Sequence, residues 1–253
     1  ITRTGALVGY DHDVGTDSVA GWAVALDQSK ASLVGGGSID ATQGRLMGYA
    51  STMLAGDAAY IEVGASLGYA HMTAVRSEAA LGATSSPSAL TLGAWARLGT
   101  GVLLAPRTSL SPFLQVDVSY AKQGAITEQG NVDTALSVDA LHQTATRGRA
   151  GFSVAQAWDS DRGDWRCRLS LDVAYIASLS GDTLAVTARN GGLLGAGGDI
   201  TATADPLDRG GMVFAPALTF GPDNDTTYTV SSEIRHLGGG TSTSVNLTYR
   251  RRF

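Results

Sequence analysis

Few side chains in this sequence stand where acid–base or nucleophilic chemistry is conceivable. His12 lies between Asp11 and Asp13, an arrangement in which a carboxylate could orient an imidazole as a general base. Ser231, Ser232 and Glu233 shortly precede His236 and supply the residue types of a nucleophilic triad. Spacing assembles neither set. Successive strand residues point to opposite faces, so Asp-His-Asp at a strand end reads as a polar turn, and the serines do not converge with His236. The glycine cluster from Gly191 to Gly198 lacks the Lys-Ser/Thr ending and the following helix of a phosphate-binding loop. Cys167 is the single cysteine, so it forms no internal disulfide and fits no zinc spacing. The expectation is a protein that is not an enzyme and uses neither metal nor cofactor.

A second set of polar residues is defined by phase. From Trp165 onward, Trp165, Cys167, Leu169, Leu171, Val173 and Tyr175 alternate with Arg166, Arg168, Ser170, Asp172 and Ala174. Period two is the signature of a strand with unlike faces. Ile61, Val63, Ala65, Leu67 and Tyr69 likewise oppose Glu62, Gly64, Ser66 and Gly68, and Leu114, Val116, Val118 and Tyr120 oppose Gln115, Asp117 and Ser119. Tyr228, Val230 and Ile234 oppose Thr229, Ser231, Glu233 and Arg235. The chain closes on Val245, Leu247, Tyr249 and Phe253 alternating with polar residues that include Arg250 and Arg252. The charges Glu62, Asp117, Arg166, Arg168, Asp172, Glu233, Arg235, Arg250 and Arg252 therefore share the polar phase. Two roles are open to them: an electrostatic lining that holds a moving segment or tunes conductance, or a network that satisfies buried groups and closes the structure.

The elements that must carry these faces are strands. Further candidates lie near Gly5 to Asp13, Val19 to Ser29, Arg45 to Met53, Leu90 to Leu104, Arg147 to Trp158 and Met212 to Phe220. The total is about eleven, whereas bacterial single-chain membrane barrels use even numbers. Asp13-Val-Gly-Thr-Asp17, Ala55-Gly-Asp57, Asp161-Arg-Gly163 and Pro222-Asp-Asn-Asp225 have the composition of tight turns. Longer connections are expected at Ser77 to Ser88, Gln123 to Thr134 and Ser180 to Asp199. Short turns alternating with long loops suggest a periplasmic and an outer side.

Composition separates lipid from water as the outer solvent. The chain is 16% charged and 43% hydrophobic, charge-poor for a soluble protein, yet it has no apolar run long enough for a membrane helix. When only alternate residues meet lipid, mean hydropathy stays near zero, and here it is +0.05. Aromatic residues at both ends of the Trp165–Tyr175 row match the interfacial girdles of membrane strands. A soluble sandwich would crowd its polar face with Lys and Glu. This chain has only Lys30 and Lys122, and its polar phase is rich in Gly, Ser and Thr. A net charge of −5 with scattered arginines disfavours a nucleic-acid partner. The fold expected is all-β: a transmembrane, antiparallel, up-and-down β-barrel of about twelve strands, contacting outer-membrane lipid. Ile1 is not followed by a charged and then an apolar targeting region, so the chain reads as a mature or truncated piece.

Two resemblances add to this reading. Val245, Leu247, Tyr249 and Phe253 resemble the carboxy-terminal signal that the barrel assembly machinery reads on outer-membrane proteins. Arg251 departs from it, and a long side chain there can snorkel to headgroups. The order of segments resembles the translocator domain of the autotransporter (type V secretion) family. The matching pieces are Gly5-Ala-Leu-Val-Gly-Tyr-Asp-His12, Val19-Ala-Gly-Trp-Ala-Val-Ala-Leu-Asp27, Leu110-Ser-Pro-Phe-Leu-Gln-Val-Asp-Val-Ser-Tyr120, Ile126-Thr-Glu-Gln-Gly130, and the closing segments Ala204 to Phe220 and Tyr228 to Phe253. That family's first strand and pore helix are not recognisable. The resemblance implies one domain over 1–253, located in the bacterial outer membrane, that anchors and helps export its own N-terminal passenger. The alternatives are a small porin-like channel, or a barrel hydrolase whose turnover would vanish on His12→Ala.

Overall fold

The computed structural model describes residues 1–32, 36–54, 59–78, 81–130, 135–159, 165–181, 184–190, 199–204, 210–222, 226–238 and 240–251. Eleven long strands follow one another in chain order: β1 (Thr2–Asp13), β2 (Ser18–Ser32), β3 (Gly37–Leu54), β4 (Ala59–Glu78), β5 (Ser88–Thr100), β6 (Thr108–Gln123), β7 (Leu141–Asp159), β8 (Arg166–Ser180), β9 (Gly210–Gly221), β10 (Thr226–Leu237) and β11 (Gly240–Arg251). Each pairs antiparallel with its sequence neighbours. They correspond one for one to the eleven strand segments read from the sequence. Short segments Leu81–Ser85, Val102–Ala105 and Gln129–Gly130 attach to this path and complete a 14-stranded sheet. Among the described residues, β1 and β11 share no backbone ladder. Their side chains nevertheless touch, because Arg250 on β11 donates to the Asp11 carboxylate on β1. A contact between the two ends of the sheet requires the sheet to curl round, with Asp11 and Arg250 on its concave face.

Burial is inverted relative to a soluble protein. Among the described residues no large side chain is fully buried, and the small core consists of Ala23, Ala83, Phe113, Ala155, Ala174, Ile176 and Val213. The large aliphatics lie on the convex side: Leu114 is 64% exposed, Leu169 46% and Leu247 79%. Exposing this many leucines and valines to water would forfeit about 1.5–3 kcal/mol each, so the convex surface belongs in hydrocarbon. Aromatic rings mark its border. Trp165 stacks on Phe220 at 6.3 Å, Phe220 on Tyr228 at 5.7 Å, and Tyr228 leans on Tyr249 at 5.2 Å, one ring from each of four neighbouring chain segments at the end that carries Arg251. Tyr175 lies ten positions beyond Trp165 on the same row. At about 3.3 Å per residue and a tilt of about 40°, that spacing spans about 25 Å, the height of a barrel's apolar band.

The long connections all lie at one end. At the end holding Arg251, the intervals 14–17, 55–58, 101–107, 160–165 and 222–225 are short, and Val14 N–H closes the first onto Ser18 O at 2.8 Å. Intervals 79–87, 124–140 and 181–209, at the opposite end, are longer, while 33–36 and 238–239 at that same end are short. Three sequence expectations need correction. Ser77 belongs to β4, which outruns the apolar band, and Leu81–Ser85 folds back onto it. The expected Leu90–Leu104 strand breaks at Gly101. Asp199–Ala204, Leu184–Asn190, Leu136–Val138 and Ile126–Thr127, read as long connections or left unassigned, build a separate four-stranded sheet, so Ala204 is not part of the closing segment. Water on both sides of these outer strands removes the two-faced pattern, which is why alternation did not reveal them. The expected turns at Ala55–Asp57 and Asp161–Gly163 lie outside the described residues, as does most of Pro222–Asp225.

One ion pair ties the 124–140 connection to the sheet. Arg76 Nη2 and Nε meet the Glu128 carboxylate at 2.7 and 3.1 Å, and Leu136 N–H donates to the same carboxylate at 2.9 Å. The Arg76 hydrogen bonds, with help from that backbone N–H and the Arg76 charge, hold the Glu128 carboxyl below its usual range.

Two outcomes follow. Leu171→Arg, at mid-height on the convex face, is expected to cost about 2–4 kcal/mol in urea unfolding from bilayers, whereas Ser170→Lys on the concave face costs far less. Because the folded Glu128 pKa is depressed, its stabilisation is complete above the ordinary carboxylate range and is lost as pH falls through the lowered value. Hydrogen exchange at Leu136, corrected for intrinsic rate, should therefore stay slow below the ordinary range and then accelerate. Glu128→Gln should abolish that pH step, and a step that survives the substitution would refute the clamp.

Candidate functional site

The concave face is built from small residues interrupted by rings and charges. Register aligns Gly21 of β2 with Tyr49 of β3, and Gly64 of β4 with Trp95 of β5. A Cβ on Gly21 would lie 2.6 Å from the Tyr49 ring, and one on Gly64 would lie 2.6 Å from Trp95. Glycine at these two positions lets a ring lie flat across the neighbouring strand. Tyr49 thereby crosses β2 and donates its hydroxyl to Asp11 on β1 at 3.0 Å. Asp11 thus gathers Tyr49 from β3 and Arg250 from β11, and among the described residues no ladder joins any two of these three strands.

Other charges pair locally. Arg3 grips Asp27 through Nε at 2.8 Å and Nη2 at 2.7 Å. Arg235 Nε donates to Glu233 at 2.5 Å. Glu62 lies 3.9 Å from Arg97 Nε, close enough for attraction but too far for a hydrogen bond, and that Nε is buried without a hydrogen-bond partner. The Arg97 guanidinium instead lies over the Phe113 ring, 3.7 Å from its centroid, a cation–π contact that recovers part of the desolvation cost. Asp117 faces Trp95 and Arg147 across its two ladders and accepts from the Gln115 amide at 2.8 Å. Arg166 approaches Asp159 at 3.9 Å, near the end of the sheet. Arg168 stands opposite Ala157 and Thr219, and Asp172 opposite Ser153 and Ala215. Arg168 and Asp172 share a strand face but form no ion pair with each other.

The sequence-defined charges thus stand on the same face as the Asp11 cluster, except Arg252, which lies outside the described residues with Phe253. Val245, Leu247 and Tyr249 occupy the opposite, convex face of β11, opposite Ser232, Val230 and Tyr228. Alternation missed Asp11, Tyr49, Arg97 and Phe113. Asp11 looked like part of a turn. Tyr49 and Phe113 are large rings on the polar phase, where a two-letter pattern expects small or charged residues. Gly21 and Gly64, glycines inside strands, were the available signal, because such positions mark close approach. The Asp-His-Asp motif does not assemble: His12 stacks with Tyr10 at 5.9 Å on the convex side, away from the Asp11 carboxylate. His236 Nδ1 contacts Thr241 Oγ1 at 2.9 Å rather than a serine of β10.

Asp11→Ala leaves Tyr49 and Arg250 without their shared partner. Since Arg250 is half-exposed, the expected loss is about 1–2 kcal/mol rather than that of a dry ion pair, read as a lower melting point of the folded, heat-modifiable species. A melting point equal to wild type would show that the cluster does not hold the two sheet ends.

A family model described as the autotransporter β-domain matches residues 1–233. Among solved structures, the chain is similar to the translocator domain of autotransporter NalP from Neisseria meningitidis, with a TM-score of 0.79 and 17% identity over 99% of this chain and 81% of that one. No curated protein sequence matches. The NalP likeness is one of fold, while the family model covers most of the strands and the concave face they carry. The chain belongs to the autotransporter β-domain family, outer-membrane β-barrels that serve as translocators in passenger export.

Proposed function

We propose that this domain anchors an N-terminal passenger in the bacterial outer membrane and supports its export along the concave face. The observation that carries the reading is the inverted burial: leucines and valines face outward, while Gly, Ser, Thr and charged residues face a wet interior. In this reading Glu62, Asp117, Arg166, Arg168, Asp172, Glu233, Arg235 and Arg250 line the path. Pairs such as Arg235–Glu233 keep it polar without a strong net field that would trap a mixed-charge polypeptide.

The partners follow from the surfaces. The convex face contacts outer-membrane lipid, with the Trp165–Phe220–Tyr228–Tyr249 row at one headgroup level. Val245, Leu247 and Tyr249 form an outward apolar row on β11 suited to recognition by the barrel assembly machinery. The domain itself is not an enzyme. What supports this is the separation of His12 from the Asp11 carboxylate and of His236 from the β10 serines.

A passenger fused ahead of Ile1 should reach the cell surface and become protease-accessible there; its retention in the periplasm with a folded barrel would reject the reading. Arg168→Glu should reduce surface display several-fold while leaving the heat-modifiable folded band intact. Loss of the folded band instead would assign Arg168 to closing the barrel.

A further inference from the structure

The concave face is not uniform. From β3 to β6 it is bulky, with Tyr49, Tyr60, Trp95, Arg97 and Phe113 packed across it. From β8 to β11 it is lined by small residues and holds a concavity of about 300 Å³ among Ser170, Asp172, Ala217, Ser231, Glu233 and Asn246. That is space for about ten waters, in a wall whose strands could carry larger side chains at the same positions.

Charge in this concavity is unbalanced. Glu233 is neutralised by Arg235 at 2.5 Å. Elsewhere on the face Asp11 has Arg250, Asp27 has Arg3, Glu62 has Arg97, and Asp117 has the Gln115 amide. Among the described residues Asp172 has neither an ion pair nor a hydrogen bond. Its nearest ladder partners, Ser153 and Ala215, carry no positive charge. A carboxylate without a counter-ion on the wall of the lumen attracts a passing cation. The hydroxyls of Ser170 and Ser231 and the Asn246 amide add donors and acceptors that suit a polypeptide backbone.

We propose that this recess seats the polypeptide held in the barrel, with a lysine or arginine side chain of that polypeptide on Asp172 and small side chains against the Ala217–Ser231 wall. The proposal rests on the translocator reading and specifies the chemistry of what the path accepts: a segment that is small-sided and basic where it passes Asp172, four positions along β8 from Arg168 on the same face.

The test uses the detergent-folded chain and two labelled synthetic Ala/Ser peptides, one carrying lysines and the other glutamates at the same positions, with binding followed by fluorescence anisotropy at low salt. The lysine peptide should bind, and the glutamate peptide should bind at least about tenfold more weakly. Asp172→Asn should lower affinity for the lysine peptide by about tenfold, the worth of one charge-assisted contact. Ala217→Phe fills the recess while keeping the carboxylate and should also weaken binding. Heat-modifiable mobility reports folding of each variant. Equal binding of the two peptides, no binding of either, or unchanged affinity in folded Asp172→Asn overturns the proposal. If wild type still exports a fused passenger in that case, the seat is wrong and the translocator reading stands; absence of export rejects the reading itself.

Discussion

Inside hydrocarbon a peptide N–H or C=O finds no water, so each must be bonded within the protein, and this requirement governs the rest of the molecule. Ten successive antiparallel ladders meet it from β1 to β11. Satisfying the backbone in a sheet fixes the side chains in two alternating sets, and lipid takes one of them. The rows headed by Trp165, Leu114 and Tyr228 are that set. The other set must then fill or line the inside, and its composition is free of the demand for apolarity.

That freedom is spent unevenly. On β2 and β4, glycines allow the Tyr49 and Trp95 rings to lie across a neighbouring strand, and the Tyr49 hydroxyl reaches Asp11 beyond it. Asp11 also receives Arg250, so the two strands at the ends of the ladder are held by a polar contact inside the curl where backbone pairing is missing among the described residues. A half-exposed pair of this kind contributes modestly on its own. Its value lies in position, because it fixes which levels of β1 and β11 face each other.

Alternation exposed this architecture wherever the two solvents differ. Every long strand crosses the boundary between lipid and an aqueous interior, and in the segments where alternation was explicit, those of β4, β6, β8, β10 and β11, the apolar phase is the convex one. The pattern fades where solvent is the same on both sides: the extension of β4 past Tyr69, the Leu81–Ser85 return and the four-stranded outer sheet have no lipid face to write into the sequence. It also fails for contacts that depend on shape. Glu128 is a polar loop residue until Arg76 and Leu136 are brought to it, and Phe113 is an apolar ring on the polar phase until Arg97 lies over it. Such partners lie many residues apart, and no local period relates them.

The unevenness of the interior bears on function. A barrel whose only task was to persist would gain from filling its inside, since small barrels are packed by side chains and each filled void adds dispersion contacts. The β3–β6 wall does this with rings and a stacked guanidinium. The β8–β11 wall does not: Ser170, Ala215, Ala217, Ser231 and Ser244 leave the recess beside Asp172 open. Small residues on successive strands of one wall, facing bulky residues on the other, forgo packing energy at several positions at once. That loss is compatible with a stable barrel only because the ladders and the lipid-facing rows already hold it. Space kept open against a stiff opposite wall is what a conduit for a polypeptide requires and what a purely structural barrel would eliminate.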